Sequence, residues 1–307
     1  MEVYRDTFRR GFPGDEVVSM PAQRVVRTLR ERGVTKVIQR VGDDSEIESV
    51  ILEQRGRAGR GRATLCLSSQ VGCGMGCAFC QTGRMGFQGN LTTSQIVGQY
   101  RAARFDVKVI PSNIVFMGMG EPMENLGAVL QAVRVLADGR GAGIAPSRIS
   151  ISTVGRVEGI ARLGAFVSQR GYGRLGLAVS LNAPNDEIRS RLMPINRVEP
   201  MGDLLCAMKE FTRRTGTAIL IGYVLIPGVN DAAEHADQLA GYLRGLRCKV
   251  NVIPYNPIDG SVWTAPSEEA VQRFARRLVD GGLFVKRRET LGRQIEGACG
   301  QLGRGGG

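Results

Sequence analysis

Six short apolar stretches rich in β-branched residues recur along the chain, each followed by an amphipathic segment, and this alternation limits the folds open to it. The stretches are "RATLCLSS" (62–69), "NIVFM" (113–117), "RISIST" (148–153), "RLGLAVSL" (174–181), "AILIGYVLI" (218–226) and "KVNVIPYN" (249–256). Between and after them lie "LGAVLQAVRVLADG", "MGDLLCAMKEFTRRTG", "DAAEHADQLAGYLRGLR" and "SEEAVQRFARRLVDGG". Their apolar residues return at helical spacing, and several are closed by glycine, as helix C-termini often are. Thr92 and Gln95 predict a capping box that opens the helix "SQIVGQYRAARF". About six βα units therefore form a parallel sheet with right-handed crossovers, either open and doubly wound or closed into a barrel. Both α/β arrangements place their chemistry at the C-terminal ends of the strands.

The first 60 residues break this rhythm. Residues 1–33 offer one short helix, and "TKVIQRV" with "IESVILEQ" reads as a small antiparallel hairpin around "GDDSE". The run "RGRAGRGR" (55–62) is a Gly/Arg linker whose four cations could grip phosphate. The expected organisation is an appendage over 1–60, an α/β body over 61–290 and a Gly-rich tail over 291–307.

A chain of 307 residues, 43% of them hydrophobic, can bury a sizeable core. No apolar run approaches the roughly 20 residues that cross a bilayer, and no secretory stretch opens the sequence, so a cytoplasmic protein is expected. A net charge of +12 points to a polyanionic partner, most simply nucleic acid. Seven unevenly spaced cysteines do not make a disulfide framework and favour metal or catalytic roles. A single histidine, His235, argues against a hydrolase triad and reads as a surface or capping residue.

Cys73, Cys77 and Cys80 lie in "CGMGCAFC", directly after the first βα strand. A structural zinc takes four protein ligands, usually from two Cys-x2-Cys pairs, and here no second pair exists. In a 4Fe-4S cluster held by three thiolates, one iron remains open to an exogenous ligand. With Phe79 before the last cysteine, this loop resembles the radical S-adenosylmethionine (SAM) superfamily, whose open iron chelates the amino and carboxylate groups of SAM. "VFMGMGEP", "SIST", "AVSLNAP" and "NVIPYNP" end successive strands with groups suited to hold SAM.

Together with "RATLCLSSQVGC", "NLTTSQIVGQ", "LNAPNDEIRSRLMPIN", "IPGVNDAAEHA" and "ACGQL", these stretches resemble the RlmN/Cfr family of radical-SAM RNA adenosine methyltransferases over roughly residues 36 to 303. The family's two extra cysteines are matched by Cys66 in "TLCLSS" and Cys299 in "GACGQL". The resemblance implies a partial (β/α)6 TIM-like barrel of the radical-SAM type, with an N-terminal appendage shorter than the family's. It implies one 4Fe-4S cluster on Cys73, Cys77 and Cys80, and two SAM molecules per turnover. Gly120, Glu121, Ser152, Ser180, Leu181, Asn182 and Asn256 are the implied SAM contacts, although the family commonly has histidine in place of Asn182.

In the chemistry the resemblance implies, Cys299 accepts a methyl group from one SAM, a 5'-deoxyadenosyl radical from the second removes a hydrogen from it, and the methylene adds to the base. Cys66 then attacks Cys299, forming a disulfide and releasing methylated RNA, while Glu48 of "IESV" takes the ring proton. Carbon 2 of an adenosine in large-subunit rRNA, and also in tRNA, is the expected target, since "GEPMENL", "NAPNDEIR" and "NPIDGS" lean toward the RlmN branch. The rivals are carbon 8 in the manner of the Cfr branch, a paralogue acting on another RNA, and a non-catalytic zinc module that binds nucleic acid. A flavodoxin or ferredoxin supplies the electron in this reading, and the protein acts as a monomer. Bland readings stand beside these: Cys66 as a small core hydrophobe, Glu48 as a solvated strand carboxylate, and Cys206 and Cys248 as buried or partly buried packing residues.

Overall fold

The computed structural model describes residues 23–42, 45–55, 61–288 and 291–303. Ten strands form one sheet: β1 (Arg24–Glu31), β2 (Val34–Val41), β3 (Ser45–Arg55), β4 (Gly61–Cys66), β7 (Asn113–Phe116), β8 (Ile149–Thr153), β9 (Gly176–Ser180), β10 (Ile219–Leu225), β11 (Cys248–Pro254) and β12 (Val285–Arg287), in that spatial order. A two-stranded ribbon, β5 (Gln70–Gly72) with β6 (Phe87–Asn90), lies apart from it. The ladders from β1 to β4 are antiparallel, and every ladder from β4 to β12 is parallel.

Each of the six expected strands is present, and each is followed by helix. In chain order the helices are α1 (Gln81–Arg84), α2 (Thr93–Arg101), α3 (Leu126–Ala137), α4 (Val157–Val167), α5 (Asp186–Leu192), α6 (Met201–Thr215), α7 (Ala233–Tyr242) and α8 (Glu268–Asp280). The capping box at α2 forms as expected: Gln95 N donates to Thr92 Oγ1 at 3.2 Å and Thr92 N to Gln95 Oε1 at 2.8 Å. Gly216 ends α6 in the left-handed conformation, φ 66°. None of the described helices is long and apolar enough to cross a membrane.

Strand alternation divides the body into core and interior. On β10, Ile219, Ile221, Tyr223 and Leu225 are fully buried, while Leu220, Gly222 and Val224 face a cavity inside the curved sheet. Truncating a buried residue such as Ile221 to alanine would cost about 2–5 kcal/mol, and this outward-facing set anchors the helical layer. Among the described residues β1 and β12 are the sheet's edges and do not pair, so the barrel stays open. The gap is filled by residues 291–303, which reach from the hairpin to the loop after β11. Gln294 N donates to Glu31 Oε2 (3.0 Å) on one side, and Gln301 Nε2 donates to the Pro257 carbonyl (3.1 Å) on the other.

Two expectations need correction. Residues 1–22 lie outside the described residues, but the described part of the expected N-terminal helix is the strand β1. "RVVRTLRE" has charges spaced for a helix, yet Val25, Val26 and Thr28 suit an extended edge, and pairing along β2 decides the outcome. Cys206 is exposed on α6 rather than packed. The hairpin β2–β3 forms as read, and β3 pairs antiparallel with β4, from Val50 opposite Cys66 to Arg55 opposite Gly61, which joins the hairpin to the sheet of the α/β body. Residues 56–60 of the Gly/Arg run lie outside the described residues. The strand β12, the ribbon β5–β6 and the helices α1, α4 and α5 were not singled out from sequence.

Candidate active site

At the C-terminal ends of the parallel strands lies a cavity of about 180 Å³. The cysteine loop roofs it. Cys73 N donates to the Gly86 carbonyl (2.9 Å) and Ala78 N to the Leu192 carbonyl (2.9 Å), which ties the loop to the ribbon and to α5. Cys73, Cys77 and Cys80 all line the cavity. Burial pushes each thiol up, Cys73 to about 11; the negative charge of Cys80 raises Cys73 and Cys77 further, and that of Cys299 raises Cys80. Three thiolates gathered there need a cationic centre to be ionised. Among the described residues, no three His, Cys, Asp or Glu converge on the position of one metal ion. A cluster that takes one thiolate per iron fits these side chains better than a single zinc does.

The strand ends supply the rest of the wall. Gly120, Glu121, Ser152, Ser180 and Asn182 all border the cavity. Gly120 has φ +95°, and a Cβ there would lie 2.5 Å from the Gln70 side chain, so this close approach requires glycine. The Glu121 carboxylate is buried and structural: it accepts from Met123 N (3.0 Å) and Val154 N (2.8 Å), while burial pushes its pKa up to about 7. Asn182 adopts φ 58°; its Oδ1 accepts from Val224 N at 2.9 Å, and its backbone carbonyl accepts from Asn230 Nδ2 at 2.8 Å. Its Nδ2 faces Met193 Sδ at 3.5 Å.

Two of the expected SAM contacts are adjacent in sequence to cavity-lining residues but do not themselves border the cavity. Leu181 is fully buried and does not border the cavity; its carbonyl accepts from Arg189 Nε (3.2 Å). Asn256 is buried beside the tail, outside the cavity lining, where its Nδ2 donates to the Cys299 carbonyl (3.2 Å).

That tail carries the exposed Cys299 thiol to the cavity mouth. Its backbone is tied just after the cysteine. Gln81 N donates to the Gly300 carbonyl (2.7 Å), and Thr82 Oγ1 donates to the Leu302 carbonyl (2.5 Å). Cys66, the last residue of β4, is buried, and burial pushes its thiol up to about 12; Cys299 is near enough to raise it further, and Arg288 opposes this. Glu48 on β3 is also buried. It pairs with Lys36 Nζ at 3.0 Å and accepts from Gly303 N at 3.0 Å. Cys248 is partly buried, and His235 accepts from Ala232 N through Nδ1 at 3.2 Å, which makes it a capping residue as expected.

Sequence reasoning passed over three residues here. Arg288 lines the cavity beside Cys299, and only its position just past a strand too short to recognise could have marked it. Arg189 is fully buried and bonds to Leu181, Asn196 and Val154 carbonyl or amide oxygens, so a cation stands within electrostatic reach of Cys77. Lys36 is likewise buried, and in sequence it reads as an ordinary hairpin lysine.

Residues 67–240 match the model of the radical SAM superfamily. The probable dual-specificity RNA methyltransferase RlmN 1 of Protochlamydia amoebophila is 45% identical over 279 residues, which cover 91% of this chain and 75% of that protein. The dual-specificity RNA methyltransferase RlmN of Syntrophotalea carbinolica is 42% identical over 88% of this chain and 70% of its own length. Among solved structures, a radical SAM methyltransferase from Sphaerobacter thermophilus superposes with a TM-score of 0.85 at 39% identity, covering 97% of this chain and 84% of that one.

Proposed function

Because the chain belongs to the radical SAM superfamily and, within it, to the RlmN family of RNA methyltransferases, we propose that it methylates carbon 2 of an adenosine in large-subunit rRNA and in tRNA. Membership implies a 4Fe-4S cluster and SAM. Cys73, Cys77 and Cys80 are the three residues that would hold the cluster, leaving one iron for SAM. When bound, the cluster supplies the electron that cleaves SAM to a carbon radical able to attack an unactivated C–H bond.

The observation that carries the reading is the placement of the exposed Cys299 in the same cavity as the cysteine loop, with Cys66 behind it. A ring carbon between two adenine nitrogens is electron-poor, so direct displacement on the SAM sulfonium does not reach it. Cys299, by contrast, is an exposed thiol in a position to accept a methyl group and present it to the base. Once the carbon is joined to the ring, the unpaired electron left there would return to the oxidised iron–sulfur centre, and Glu48 accepts the ring proton. Cys66 Sγ then bonds to Cys299 Sγ as the carbon–sulfur bond breaks, and the freed carbon takes up a proton to complete the methyl group. Gly120, Glu121, Ser152, Ser180 and Asn182 form the wall against which SAM lies, one SAM serving each of the two stages, and Asn256 holds the tail. A flavodoxin or ferredoxin would deliver the electron to the monomer.

Mass spectrometry of rRNA and tRNA nucleosides from cells with and without the gene tests the reading. Loss of 2-methyladenosine in the deletion supports it; loss of 8-methyladenosine instead moves the target to carbon 8, and no change in either removes RNA methylation as the function.

A further inference from the structure

Lys36 and Glu48 sit on neighbouring strands, β2 and β3, with side chains only 2% exposed and Nζ 3.0 Å from Glu48 Oε2. The same ammonium donates to the backbone carbonyl of Glu296 in the tail (3.4 Å), and the same Oε2 accepts from Gly303 N (3.0 Å). The other carboxylate oxygen, Oε1, is buried and has no hydrogen-bond partner. An isolated buried ion pair is costly to desolvate, and an acceptor left unpaired costs more. A group kept in that state is best explained by a task that needs a free oxygen on a fixed carboxylate.

We infer that Lys36 is the positioning residue for the proton-accepting carboxylate, holding Glu48 by one oxygen while it seats the tail that carries Cys299. This rests on the function proposed above. In that reaction the addition leaves one unpaired electron on the ring; the ring C–H bond breaks, its electron pair stays on the base, the proton passes to Glu48 Oε1, and one electron would return to the oxidised iron–sulfur centre that had supplied it to SAM. Lys36 makes one element serve two demands: the ammonium fixes the direction of the base and also anchors the residues flanking the methyl carrier.

The charges facing Glu48 are few. Lys36 approaches from β2 and Glu296 from the tail; Ser68 Oγ donates to the Glu48 backbone carbonyl (2.6 Å), and Met119 Sδ lies against its amide (3.3 Å), neither bringing charge. Burial raises the Glu48 pKa, Lys36 lowers it, the hydrogen bond from Gly303 N lowers it further, and Glu296 raises it. Removing the ammonium takes away the larger of the two opposing influences and leaves the Gly303 bond alone against burial, so the carboxylate ionises only at higher pH.

The test is a single-turnover measurement of how fast the covalent protein–RNA adduct resolves, across pH, with cluster-loaded enzyme. Lys36→Met should slow resolution roughly tenfold at neutral pH and move its pH midpoint upward by about one unit, since one unit is a factor of ten. Lys36→Arg should restore the midpoint. An unmoved midpoint in Lys36→Met that binds iron as the parent does would overturn the inference. Should that variant not fold, Lys36→Met with Glu48→Gln removes both charges at nearly constant volume. If Lys36 acts through Glu48, the double variant resolves adduct at the rate of Glu48→Gln alone; a further loss assigns Lys36 another role and rejects the inference. A failure of the underlying function shows separately, because then Cys66→Ala forms no adduct at all.

Discussion

Cys66 and Cys299 differ in ways that their common residue type hides. One is buried with its thiol pushed up to about 12, and the other is exposed at the mouth of the cavity. Their replacement by alanine should therefore fail differently. Cys299→Ala should give neither methylated RNA nor adduct, whereas Cys66→Ala should accumulate RNA bound to Cys299 that survives denaturation and disappears on nuclease digestion. Gel analysis under denaturing conditions distinguishes them, and residual turnover without adduct in Cys66→Ala would reduce Cys66 to a packing residue. Legibility at this scale followed sequence distance. The three cysteines of the loop announce themselves through spacing within one short segment. Glu48 could be named only by likeness to a family, and Lys36 not at all, because its pairing depends on the β2–β3 register and on a tail 260 residues away. Asn256 was legible as a strand-end amide, but nothing in "NVIPYNP" says that its partner is the Cys299 carbonyl.

Among the elements, the βα units were the most legible, since β-branched alternation and capping are local properties. Of the strands that escaped, β12 and the two of the ribbon β5–β6 are three or four residues long and owe their form to neighbours already in place. The strand β1 escaped for the opposite reason: its charge spacing suits a helix, and only the free edge of β2 makes it extended. The tail acts as an element without regular structure, held by its backbone. Gly300 has φ +87°, and a Cβ there would lie 3.1 Å from the Phe79 carbonyl, against the cysteine loop. Gly300→Ala should add about 1–3 kcal/mol of backbone strain and lift the tail from its seat. Methylation of Cys299, followed as the mass of the tail peptide after incubation with SAM, should then slow roughly tenfold with iron content unchanged. An unchanged rate would show that the seat does not govern this step.

For the molecule as a whole, a charge of +12 and a cavity open at the strand ends fit a large polyanion that presents one base to the interior. Affinity for RNA should fall linearly on logarithmic axes as salt rises, by a slope of about 0.7–0.9 for each phosphate contact, because bound counterions are released. Filter binding over a salt series measures it, and a flat response would favour a small-molecule substrate. The α/β class was legible from the rhythm of strands, but the choice between an open and a closed sheet was not, since closure depends on what residues 291–303 do. That open wall carries a consequence for the chronology of synthesis. The chain grows from its N-terminus, and its parts fold in that order. The cysteine loop, the ribbon and every lining strand exist before the stave that completes the barrel. The three cysteines proposed to hold the cluster are thus made and folded before Cys299, so order along the chain separates the two kinds of thiol in time.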